Sequence, residues 1–143
     1  TRVCQALALE IVQDGEGARK VVTFRVQGAP SASAAERAAR QVANSPLVKT
    51  ALAGADPNWG RILAAVGASG AAIKPERVDI HLGRQAVCRR GRACRFDEAA
   101  AHRYLQGHSI EVRIRLGAGS GRALFWTCDF TADYVRINAR YRS

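Results

Sequence analysis

No run in this 143-residue chain approaches the roughly eighteen consecutive apolar residues that a membrane-spanning helix requires. The N-terminal stretch TRVCQALALEIVQDGEG carries acids within its apolar run and has no small-residue cleavage site, so no signal peptide is expected. The four cysteines form no CxxC pair. Cys4 and Cys128 are isolated, and Cys88 and Cys94 lie within an arginine-rich stretch. His81, His102 and His108 do not complete a zinc pattern with them, so neither a disulfide framework nor a structural metal is expected. The thiols read as small buried or half-buried groups of a reducing compartment, and a cytoplasmic location follows as the expectation. Aromatic residues make up only 6%. With no RNP-type motif and no helix-turn-helix pattern, platforms for base stacking are scarce. Internal repeats and low-complexity linkers are absent as well.

What remains has the composition of one ordinary domain. Hydrophobic residues are 48% and charged residues 24%, and the length suffices for one core but not two. Lys and Arg number 22 against 12 Asp and Glu, a formal charge of +10. The cations are almost all arginine and are scattered along the chain. Arg84, Arg89, Arg90, Arg92 and Arg95 form the one acid-free cluster. It reads as a solvated rim or a face for an anionic partner, and a basic module binding nucleic acid or an acidic protein is the alternative function.

Periodicity divides the chain into alternating helices and strands. Val3, Leu7 and Ile11, widened by Ala6, Leu9 and Val12, predict a helix over Val3–Val12 that buries one face. Asp14-Gly15-Glu16-Gly17 stops it, and the β-branched alternation of Lys20–Gly28 predicts a strand. Ser33-Ala34-Ala35-Glu36 reads as a capping box opening a helix to about Ala43. Ser45-Pro46 restarts a helix, Ala55–Asn58 turns, and Trp59–Val66 is a compact apolar helix ended by Gly67 and Gly70. VDIHLG and a segment near Gln85–Cys88 are strands. Phe96–Leu105 is a helix opened by Asp97 and Glu98. Ser109–Leu116 alternates strictly, and Gly117–Gly121 reads as a hairpin connection to a strand over Ala123–Phe130, in preference to a phosphate loop. Tyr134, Val135 and Ile137 in the tail read as buried. The whole predicts a single α+β domain over residues 1–143, with helices packed on a mainly antiparallel sheet.

Three features invite chemistry. Glu16 is a carboxylate held between two glycines, where backbone approaches a ligand closely and an ammonium group can pair with it. Asn58-Trp59-Gly60-Arg61 mixes amide, indole and guanidinium, although a tryptophan anchoring a helix start explains it as well. An N-terminal threonine such as Thr1 can serve as nucleophile and, through its own amine, as general base. Here it leads straight into a helical pattern and reads as a cap.

Three runs, IVQDGEGARK, SPLVKTALAGADPNWGRILAAVGASG and FWTCDFTADYVRINARYRS, and the order linking them resemble the C-terminal part of the ornithine acetyltransferase (glutamate N-acetyltransferase) family. The resemblance covers essentially the whole chain. It implies the C-terminal, β-chain portion of that fold and a ping-pong transfer of acetyl from N-acetylornithine to glutamate through an acyl-threonine. It also implies self-cleavage before that threonine, and acetyl-CoA as a further donor in some members. The family's DGEGATK stands here as Asp14–Lys20, making Glu16 the substrate-contacting carboxylate. The family's terminal asparagine and hydroxyl residue correspond to Asn138 and Ser143 as further pocket residues. Arg19 replaces the usual threonine, and Pro57 stands where alanine is common. The nucleophile and oxyanion-hole residues belong to segments upstream of DGEG. The chain is therefore expected to hold no catalytic residue, no metal and no resident cofactor. Its expected partners are the α chain, the rest of the β chain, N-acetylornithine, glutamate and ornithine, in an oligomer, with neither nucleic acid nor membrane.

Overall fold

The computed structural model describes residues 2–140. Thr1 and Ser143 lie outside the described residues. In chain order the elements are α1 (Arg2–Gln13), β1 (Val21–Ala29), α2 (Ala32–Asn44), α3 (Pro46–Ala53), α4 (Trp59–Gly67), β2 (Asp79–Leu82), β3 (Gln85–Arg89), β4 (Arg92–Ala93), α5 (Glu98–Leu105), β5 (Ser109–Arg115), β6 (Gly121–Cys128) and α6 (Ala132–Arg140). The strands form a six-stranded sheet in the order β4-β3-β2-β5-β1-β6. Among the described residues only β1 and β5 pair in parallel, so the sheet is mainly antiparallel as the sequence predicts.

Alternation decides which face of the sheet is covered. Val22, Phe24 and Val26 of β1 and Ile110, Val112 and Ile114 of β5 are buried on one face. Arg25, Glu111 and Arg113 lie on the other, where Arg25 and Glu111 pair at 3.0 Å. Helix α2 turns Ala34, Ala35, Ala38, Ala39, Val42 and Ala43 into the core. Those small side chains let its backbone approach the sheet closely. Ile62, Ala65 and Val66 of α4 extend the same layer.

Helix ends follow local chemistry. The Ser45 hydroxyl accepts from the Val48 N–H with Pro46 in the first turn, Asn58 caps α4, and Asp97 accepts from the Ala100 N–H to cap α5. The predicted capping box is displaced by two residues. Ser31, in extended backbone, accepts from the Ala34 N–H. The Ser33 hydroxyl instead accepts from Arg37, and Glu36 pairs with Arg40, so both lie inside the helix and neither caps it.

Three further expectations fail for one shared reason, that periodicity names a face without naming its cover. Helix α1 forms over nearly its predicted span but buries nothing among the described residues. It lies along β6 with Ala8 and Val12 towards Leu124, Phe125 and Trp126, leaving Val3, Leu7 and Ile11 exposed at 70, 54 and 74%. Tyr134, Val135 and Ile137 are likewise exposed, on an α6 that buries no residue. The glycine loop after β5 is no hairpin, because β1 lies between β5 and β6. The loop crosses the end of β1, with the Ala118 N–H donating to Gly28 O. A Cβ at Gly119 would come within 2.6 Å of Ala29 O, so this crossing requires glycine.

Candidate substrate-binding site

The site forms where β1 begins and β6 ends. Val21 is paired with Cys128, so the turn before β1 and the segment after β6 emerge side by side. The turn is Asp14–Gly17, and Gly17 adopts φ +69°. Its Cα lies so close to α6 that a Cβ there would sit 2.6 Å from the Tyr134 nitrogen. Thr131 closes the junction from the other side, its hydroxyl donating to Gly17 O at 2.7 Å.

Two predicted site residues meet here. Asn138 Nδ2 donates to Glu16 Oε2 at 3.0 Å across 122 residues of sequence, and also to Tyr134 O one helical turn earlier. The amide thus holds the carboxylate while remaining tied to its own helix. The third, Ser143, lies outside the described residues.

Charges around the pair are arranged to brace it. Arg19 Nη2 reaches Asp133 Oδ2 at 2.6 Å and Arg136 Nη2 reaches Asp133 Oδ1 at 2.6 Å. The hydrogen bond from Arg19, followed by the charge of Arg136, holds the Asp133 carboxyl below its ordinary range. Arg19 therefore clamps the turn onto the start of α6. The Asp129 Oδ1 accepts from the backbone N–H groups of Arg19 and Lys20, at 2.8 and 3.0 Å. Lys20 Nζ donates to Leu52 O and Ala53 O, the last carbonyls of α3. Burial pushes the Lys20 ammonium down in pKa, and the neighbouring Asp129 opposes that shift.

Beneath Glu16 lies a cavity of about 260 Å³, lined also by Lys49, Cys128, Asp129, Phe130 and Tyr134. It falls below the roughly 300–1,000 Å³ of drug-sized pockets and suits a small metabolite. Two larger hollows, about 440 and 630 Å³, flank α1 and include neither Glu16 nor Asn138. Chemically the smaller cavity offers the Glu16 acid, the Asn44 amide, the Lys49 cation, the Cys128 thiol and an aromatic wall, a lining suited to holding a small polar ligand. Behind the cavity, the Thr131 hydroxyl is committed to Gly17 O. No group of three or more candidate metal ligands occurs among the described residues.

The sequence matches the ArgJ family model over residues 1–143. It is 49% identical over 143 residues to the arginine biosynthesis bifunctional protein ArgJ of Brucella suis biovar 1 (strain 1330), covering 99% of this chain and 35% of that protein. It is 51% identical over 138 residues to the protein of the same name from Rhizobium meliloti (strain 1021), covering 96% of this chain and 33% of that one. The crystal structure of the arginine biosynthesis bifunctional protein argJ from Bacillus halodurans superposes with a TM-score of 0.95 at 41% identity. That match covers 97% of this chain and 66% of the other.

The chain belongs to the ArgJ family. It spans about a third of the length of the curated ArgJ relatives it matches. Sequence reasoning placed Glu16 and Asn138 through the resemblance, and missed Lys49, Asp129 and Tyr134. Their signal was present, since SPLVKTA and CDFTADY are two of the ArgJ-like runs and both bend onto the cavity that DGEG caps. Asn58-Trp59-Gly60-Arg61 stands apart. Asn58 caps α4 and Arg61 donates to Leu47 O, which is the structural role of a helix start. The exposed arginines Arg84, Arg89, Arg90, Arg92 and Arg95 occupy the β3–β4 side, at the opposite edge of the sheet from β1 and β6.

Proposed function

We propose that this chain is the substrate-binding portion of an N-acetyltransferase that moves acetyl from N-acetylornithine to glutamate by ping-pong chemistry. The acyl-threonine that carries the acetyl group belongs to a segment upstream of DGEG. An ester intermediate splits one difficult transfer into two easier ones. The chain's own contribution is to orient the amino-acid substrates, and Glu16, Asn138 and Ser143 share that task. The observation that carries this reading is the 3.0 Å contact between Asn138 and Glu16 above a small polar cavity. A carboxylate fixed by an amide is pre-ordered to receive a substrate ammonium group at low entropic cost. The α chain, the remainder of the β chain and further copies of the protein complete the assembly in the cytoplasm, and the isolated chain has no activity.

The test is Glu16→Ala in the complete protein, assayed for acetyl transfer from N-acetylornithine to glutamate. Losing a charge-assisted contact should lower kcat/KM about ten- to hundredfold with the fold intact. Unchanged kinetics would remove Glu16 from the site. Turnover by the isolated chain, or an acetyl group found on Thr1 by mass spectrometry, would overturn the upstream assignment.

A further inference from the structure

We infer that Lys49 is a specificity-determining residue, its ammonium group receiving the α-carboxylate of the amino-acid substrate opposite Glu16. This rests on the acetyltransferase reading above and adds the substrate group that the acid and amide leave unpaired. Of the two lysines near the site, Lys20 is spent on α3, donating to Leu52 O and Ala53 O. Lys49 differs. It sits in the middle of α3, is half-buried, and lines the same cavity as Glu16. Among the described residues no carboxylate lies within 4.0 Å of its ammonium, whose one polar contact is a long 3.9 Å approach to Cys128 Sγ. A thiol at that distance satisfies little of an ammonium's hydrogen-bonding capacity.

The backbone that carries it is nonetheless anchored. The Phe130 N–H donates to Lys49 O at 3.3 Å, tying this turn of α3 to the segment after β6. A second polar group beside the cavity is unsatisfied as well. Asp129 is 3% exposed, and its Oδ2 has no hydrogen-bond partner. A cation without a carboxylate partner and an amide-braced acid around one small space match a zwitterion better than a neutral ligand or one of a single sign.

The experiment compares ornithine with putrescine, the same diamine lacking the carboxylate, as inhibitors of acetyl transfer by the complete protein. The wild type should prefer ornithine about ten- to hundredfold, in keeping with a charge-assisted contact. Lys49→Met should erase that preference by weakening ornithine alone. Lys49→Gln should do likewise, and Lys49→Arg should restore most of it. A loss that is merely structural would weaken both inhibitors together and lower the melting temperature. That outcome, a preference that survives Lys49→Met, or a wild type without preference overturns the assignment. A wild type that transfers no acetyl from N-acetylornithine instead removes the acetyltransferase reading itself.

Discussion

Replacing Gly17 with alanine tests whether the turn and α6 form one unit. At φ +69° a Cβ costs about 1–2 kcal/mol in backbone strain alone. The added methyl would also stand 2.6 Å from the Tyr134 nitrogen and 3.0 Å from the Asp133 carbonyl carbon, both backbone atoms that no rotamer change can move. Overpacking of that kind costs about 1–3 kcal/mol, for a total of about 2–5 kcal/mol. In a domain of this size each kcal/mol moves the midpoint by about 4 °C, so the melting temperature should fall by about 8–20 °C. Relief requires α6 to move off the turn, and that helix carries Asn138, so KM in the complete protein should rise even well below the new midpoint. Gly67→Ala is the control. Gly67 ends α4, has no positive φ, and its Cβ would meet nothing within 4 Å. There alanine should stabilise by about 0.5–1 kcal/mol through the unfolded state. Scanning calorimetry of both variants decides the matter. A Gly17→Ala protein melting within about 3 °C of wild type, with unaltered KM, would refute the reasoning.

Three further outcomes follow from named contacts. Asp129→Ala strands the N–H groups of Arg19 and Lys20 that Oδ1 now accepts from, and should cost about 2–4 kcal/mol in urea titration; less than about 1 kcal/mol would deny Asp129 that role. Ser31→Ala should cost about 1 kcal/mol as the loss of the α2 cap, whereas Ser33→Ala should stay within about 0.5 kcal/mol; the reverse order would restore the displaced capping box. On acidification, melting temperature should fall in two stages. Burial, with the charge of Arg113 next, lowers His81 from its ordinary 6.5. The unfolded chain therefore takes up that proton first, and stability falls as pH drops from 6.5 towards the folded value. The Asp133 carboxyl, lowered by Arg19 and Arg136, contributes fully above its ordinary 3.8, and that contribution is lost as pH falls through its folded value. His81→Gln should flatten the first stage only, and a profile still sloping there would assign it elsewhere.

Features that depend on a few neighbouring residues were legible in the sequence. Ser45-Pro46 and Asp97 begin helices because a side-chain oxygen and a backbone N–H three residues later suffice. Ile110, Val112 and Ile114 face the core because strand alternation admits no other arrangement once one face is covered. Features that depend on distant chain were not. Whether Gly117–Gly121 turns back as a hairpin or crosses over depends on β1, about ninety residues earlier, occupying the slot between β5 and β6. The apolar stripe of α1 turns only its Val12 edge, with Ala8, towards β6, while Val3, Leu7 and Ile11 stay exposed. Glu16 and Asn138 were reachable only through family resemblance, since local physics offers no reason to join residues 122 apart. Lys49 escaped because a lysine in an amphipathic helix ordinarily faces solvent.

The site owes its geometry to the register of one strand pair. With Val21 opposite Cys128, the chain before β1 and the chain after β6 leave the sheet at the same point, so Glu16 and α6 must be neighbours. Helix α3 is drawn to that point by Lys20 on its last carbonyls and by the Phe130 N–H on Lys49 O. A slip of one residue along β1 would separate these contacts. It would also turn Val22, Phe24 and Val26, all fully buried, onto the solvent face, at about 1.5–3 kcal/mol for each large side chain exposed. Three such residues exceed about 4 kcal/mol together, a large share of the 5–15 kcal/mol that holds an ordinary domain folded. The apolar core therefore enforces the alignment of the polar site, and a substitution that loosens β1 on its buried face should impair ligand binding before it unfolds the protein.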